Sequence, residues 1–126
     1  MTLSLGIAVA ALLVVVPAPR LFVLTDIGGD TDDQQSMVRL LLHADSLEIE
    51  GLCATSRMQH GHDTRPDLLR GLLGAYAAVL PNLQVHSPSF PSAERLSAAV
   101  HAGRDDPGPV GPGLDSACSQ ALAAAP

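Results

Sequence analysis

"LFVLTDIGGDTDDQQSMVRLLL", residues 21–42, joins a short apolar run to an amphipathic one through a turn carrying Asp26, Asp30, Asp32 and Asp33. "RLFVLT" is apolar without interruption and ends at a polar cluster, the pattern of a strand buried on both faces of a parallel sheet. Thr31 and Gln34 are spaced as a capping box, and Met37, Leu40, Leu41 and Ala44 follow at helical spacing, which predicts a helix over 32–43. "LEIEGLCATS", residues 47–56, reads as the next strand. Strand, helix and strand make a parallel βαβ unit.

Beyond "RMQHGHDT", Thr64 can cap a second helix with Pro66 in its first turn. Leu68, Leu69, Leu72, Leu73 and Tyr76 form its apolar stripe, and "LPN" at 80–82 is expected to end it. "LQVH" is a candidate third strand, and "FPSAERLSAAVHAG" a third helix with Ser92 as N-cap and Gly103 as stop. A Pro/Gly-rich tail follows from residue 104, with a last helix near Ser119. The fold class expected is α/β, an open, mostly parallel sheet with flanking helices.

The amino terminus reads as a signal peptide over residues 1–18. "LGIAVAALLVVV" is about 12 apolar residues long, short of the ~20 of a membrane-spanning helix, and "VPA" supplies a small residue for cleavage. The mature chain is therefore expected to begin near Pro19 and to be secreted or periplasmic. Residues 19–103 would carry the fold, with 104–126 weakly continuing it.

A net charge of -6 and the absence of any cluster among the basic residues, all of them Arg, exclude a nucleic-acid backbone as partner, since phosphate neutralisation needs a basic face. Two cysteines are too few for a disulfide scaffold, and Cys53, in "GLCAT", reads as a small buried hydrophobe with a free thiol. With no Trp, one Tyr and two Phe, the chain lacks the aromatic faces of a polysaccharide platform, so Tyr76, Phe22 and Phe90 read as core.

Asp32 and Asp33 have a structural reading, because carboxylates in a first helical turn interact favourably with the helix dipole. Asp26 is placed differently, at the carboxyl end of a buried strand, where open α/β sheets hold ligands, with Gly28 and Gly29 allowing a tight turn. Four carboxylates so close together repel unless a cation sits among them, and oxygen donors without a nearby Cys favour calcium or magnesium. His60, His62 and Asp63 form a weaker zinc candidate in a loop that reads as solvated.

"VLTDIGGDTDDQQSMVRLLLHADSLEIEGLCATS", "RPDLLRGLLGAYAAVLPNL" and "FPSAERL" together resemble the nucleoside-hydrolase-like domain of bacterial cellulose-binding proteins. That domain is a branch of the inosine-uridine-preferring nucleoside hydrolase superfamily. The superfamily pattern is D-x-D-x-G-x-D-D; its first Asp falls here at Leu24, and two additional residues separate Gly28 from Asp32 and Asp33. The resemblance implies that Asp26 and Asp33 ligate calcium, that Asp26 also helps to activate a water, and that Asp32 binds ribose hydroxyls. It places His60 and His62 near the mouth of that site; Thr55 and Ser56, by their position at the end of the second strand, are candidates to contact a substrate hydroxyl.

The function so implied is hydrolysis of N-glycosyl bonds in a small nucleoside-like or other sugar ligand. The alternative is a non-catalytic secreted carbohydrate-binding protein, with a polysaccharide such as cellulose as ligand. Superfamily members draw further calcium ligands and a leaving-group acid from a later part of a longer domain, so this chain reads as the amino-terminal part of one. An unpaired sheet edge in such a piece predicts homo-oligomers.

Overall fold

The computed structural model describes residues 17–57, 60–105 and 108–126; the signal segment, apart from Pro17 and Ala18, lies outside the described residues. Three strands, β1 (Arg20–Thr25), β2 (Glu48–Ala54) and β3 (Val100–Ala102), form a parallel sheet in the order β1-β2-β3. Helix α1 (Thr31–Leu41) joins β1 to β2, and α2 (Pro66–His86) and α3 (Ala93–Ala98) join β2 to β3. Helix α4 (Ala117–Ala124) follows β3. The open parallel α/β sheet expected from the alternation of elements is the one observed.

β2 is the central strand, and its Leu52, Cys53 and Ala54 are wholly buried. The core around it gathers Met37 and Leu41 from α1, Leu69, Leu73 and Tyr76 from α2, Leu96 from α3 and Val100 from β3. Each full burial of such an aliphatic side chain contributes roughly 1.5–3 kcal/mol. Gly51 is required by close approach, because the Phe22 ring fills the place its Cβ would take. β1 departs from expectation. It lies at the sheet edge and is only half-buried, with Leu24 59% exposed, so its apolar run does not mark a strand covered on both faces.

Local signals were overridden in several places. Helix α1 begins one residue early: Asp30, not Thr31, is its N-cap, and the capping box pairs Asp30 with Asp33 rather than Thr31 with Gln34. The N-cap of α2 is Arg65 without a side-chain bond, because Thr64 is engaged elsewhere. α2 continues through Pro81 to His86, so 80–82 is no break and "LQVH" is helix rather than strand. An interior proline costs about 3 kcal/mol, which the packing of Leu80 and Leu83 against the core offsets.

Ser92 does cap α3, accepting from Arg95 N–H at 3.2 Å. That helix stops at Ala98, and residues 100–102 become β3 because they satisfy the second edge of β2. Gly103 is not a helix stop; its N–H donates to the Ala54 carbonyl at 2.8 Å. The final helix appears where the tail predicted one, capped by Ser116 and Ser119. Cys53 is not a free thiol. It is disulfide-bonded to Cys118, which ties α4 to the central strand.

Candidate functional site

The loops after β1, β2 and β3 meet at the carboxyl edge of the sheet, and side chains tie them together. Arg57, just past β2, donates from Nη1 to the Gly28 carbonyl at 3.1 Å and pairs through Nη2 with the Asp63 carboxylate. Its Nε donates to the Asp63 carbonyl at 3.4 Å. Asp105, beyond β3, accepts from the Thr64 N–H at 2.7 Å and from the Thr64 hydroxyl at 2.9 Å. The Arg57 guanidinium holds the Asp63 carboxyl below the usual carboxylate range, and the two Thr64 donors do the same for Asp105. Gly28 (φ 88°) makes the turn possible, since a Cβ there would meet a Leu68 methyl at 2.7 Å.

The aspartate turn is built on this clasp. Asp26 follows β1, its carbonyl accepts from Gly29 N–H at 2.9 Å, and the fully buried Ile27 anchors the turn in the core. Asp33 Oδ2 accepts from the Asp30 N–H at 3.3 Å, so both residues serve the start of α1. Asp32 stands exposed in the first helical turn, where the dipole favours it. The Asp26 side chain is exposed at the strand end. His60 reaches the turn, with Nε2 3.6 Å from Asp30 Oδ1, whereas His62 is an exposed loop residue.

Two clefts flank the outer edge of β1. One, about 420 Å³, lies between the sheet and α4, and Thr55, Ser56, Arg104 and Asp115 are among its lining residues. The other, about 260 Å³, lies between β1 and α1 and includes Asp33 and Ser36. Leu24 lines both. The structure therefore brings Asp26, Asp30 and Asp33 to one turn but sets Thr55 and Ser56 in a different cleft from Asp33.

Among the described residues no three His, Cys, Asp or Glu side chains converge as a group that could hold a metal ion. Asp26 and Asp33 are hard oxygen donors of the type calcium takes, but calcium takes about 6–8 oxygens, so the donor set here does not complete its shell. Sequence reasoning missed Arg57. Its signal was present, as the first cation after β2, at the sheet edge that carries the aspartate turn.

The family model described as cellulose-binding Sde182, nucleoside hydrolase-like domain, matches residues 20–125. The chain belongs to that family. A solved structure similar to it is a nucleoside hydrolase-related hypothetical protein from Saccharophagus degradans that is associated with carbohydrate metabolism. The identity is 34% with a TM-score of 0.80, over 86% of this chain and 27% of that one. The chain thus spans about a quarter of the length of the relative it matches. No curated protein matches it. The nucleoside hydrolase-like family accounts for the open parallel α/β fold.

Proposed function

We propose that this chain supplies the carboxylate turn of a sugar-binding site that hydrolyses N-glycosyl bonds in a nucleoside-like, ribosyl substrate. The observation that carries the reading is the position of Asp26, exposed at the carboxyl end of a parallel strand on a turn clasped by Arg57, in a nucleoside hydrolase-like family. Open α/β sheets hold ligands at that edge. Cleavage of an N-glycosidic bond leaves positive charge on the sugar ring, which carboxylates stabilise, and Asp26 is assigned to accept a proton from an attacking water. Asp32 is assigned to the sugar hydroxyls, and Thr55 and Ser56 to a further hydroxyl from the adjoining cleft.

We assign Asp26 and Asp33 as two donors to calcium, which supplies activation of water when bound; the other oxygens must come from outside these residues. A misplacement of about 1 Å can cost on the order of a hundredfold in rate, so the chain alone is expected to show no calcium-dependent turnover above background. Export to an oxidising compartment, the periplasm or the exterior, belongs to the same proposal, and the Cys53–Cys118 bond supports it. No helix among the described residues is long and apolar enough to cross a membrane.

The experiment is a chimaera in which this chain replaces the matching segment of the Saccharophagus degradans protein. Calcium-dependent release of nitrophenol from a nitrophenyl riboside, lost in Asp26→Asn, is the expected result. Retention on cellulose with no release from the riboside would replace hydrolysis by binding, the reading favoured by the family's cellulose-binding description.

A further inference from the structure

The Arg57 side chain is 14% exposed, whereas its partner Asp63 is 53% exposed. A guanidinium so far out of water needs its donors matched, and bonds to Asp63 would suffice if it served only its own loop. It reaches further. Nη1 crosses to the Gly28 carbonyl, 29 residues away, and the arginine stem lies over Gly28, with Cδ 3.6 Å from the place a Cβ would take. The Arg57 carbonyl accepts from His60 N–H at 3.1 Å, and Gly61 (φ 110°) brings the chain back to Asp63, where a Cβ would stand 2.9 Å from Asp63 Oδ1. The guanidinium is thereby aimed by its own loop.

The Gly28 carbonyl and the Gly29 N–H belong to one planar peptide unit. With glycine on both sides, counter-rotation about the flanking bonds can turn that unit over at little steric cost, which exchanges the sides of its carbonyl and its N–H. Two bonds oppose the exchange. Arg57 holds the carbonyl on one side, and the Asp26 carbonyl holds the N–H on the other at 2.9 Å. The Asp26 carboxylate rests on the same unit, since a Cβ on Gly29 would stand 3.3 Å from Asp26 Oδ2. Turning the peptide over would release the Asp26 carbonyl and remove the surface against which its carboxylate lies.

We infer that Arg57 is the positioning residue of Asp26: it acts through the Gly28–Gly29 peptide, without touching substrate, and fixes the direction in which that carboxylate points. The inference rests on the role proposed for Asp26 and adds the group that aims it. Loss of one charge-assisted bond corresponds to roughly a tenfold or larger change in the balance between the two peptide orientations.

Amide hydrogen exchange of the chain, followed by NMR, needs neither substrate nor calcium, so it decides the assignment whether or not the hydrolase reading holds. In Arg57→Met, which keeps an apolar stem, the Gly29 N–H is expected to exchange on the order of tenfold faster, while the Leu52 N–H, bonded to the Ala99 carbonyl inside the sheet, keeps its rate. Asp63→Asn, at the more exposed partner, is expected to give a smaller rise at Gly29, and it decides the point if Arg57→Met does not fold. In the Saccharophagus degradans chimaera, Arg57→Met is expected to lower kcat on the order of a hundredfold with the KM for the nitrophenyl riboside little changed. Unchanged Gly29 exchange overturns the inference, as does equal acceleration at Leu52, which would make Arg57 a general support of the fold. A raised KM with kcat kept overturns it too, because Arg57 would then be a substrate contact.

Discussion

Reduction of the Cys53–Cys118 bond is the perturbation this fold should feel most. Helix α4 buries one residue, Cys118, so the bond is its main attachment to the central strand. The bond joins residues 65 apart, and loop-closure entropy for such a span corresponds to about 4 kcal/mol at 25 °C. Domains of this kind hold only about 5–15 kcal/mol in all. With a urea dependence of about 1–2 kcal/mol per molar, the unfolding midpoint should fall by roughly 2 M or more on reduction. Urea titrations of the oxidised chain, the reduced chain and Cys118→Ala, followed by circular dichroism, measure the difference directly. Superimposed curves, or two titratable thiols in the chain before any reductant is added, would refute the reasoning. The same arithmetic predicts poor yield from a reducing cytoplasm and recovery in an oxidising compartment.

Asp33→Asn should weaken calcium binding in the chimaera far more than Asp30→Asn, because only Asp33 is assigned as a ligand; calorimetric titration giving equal affinities would count against that assignment. Gly51→Ala forces a methyl into the Phe22 ring and should destabilise the chain by about 1–3 kcal/mol, read as a drop in melting temperature. Asp63 and Asp105 are held below their ordinary value of 3.8, so the clasp stabilises the fold above that pH and is lost as pH falls through the lower folded values. Acid unfolding below about pH 4 should therefore begin at higher pH in Asp105→Asn than in the parent chain.

What could be read directly from the chain was what neighbouring residues decide. The strand at 20–25, the helix after the aspartate turn and the Ser92 cap each rest on periodicity or on a side chain satisfying a backbone group three residues away. The misread elements depend on distant partners. Residues 100–102 are a strand only because β2 offers them a ladder, and α2 passes Pro81 because Leu83 finds the core. Cys53 looked like a core thiol because its partner lies 65 residues on.

The site divides in the same way. The acidic turn is contiguous and could be seen, whereas Arg57 acquires its role from a carbonyl 29 residues earlier, which no local pattern announces. β1 shows why composition alone misleads about cover. An apolar strand reads identically whether its partner is already in the fold or still to come, because hydrophobicity records that a surface is to be buried and not what buries it. Leu24 is the residue where that ambiguity has a physical answer. Left 59% exposed between two clefts, it keeps more than half of its surface in water although its apolar run reads as a covered strand, because among the described residues β1 is paired along one edge only.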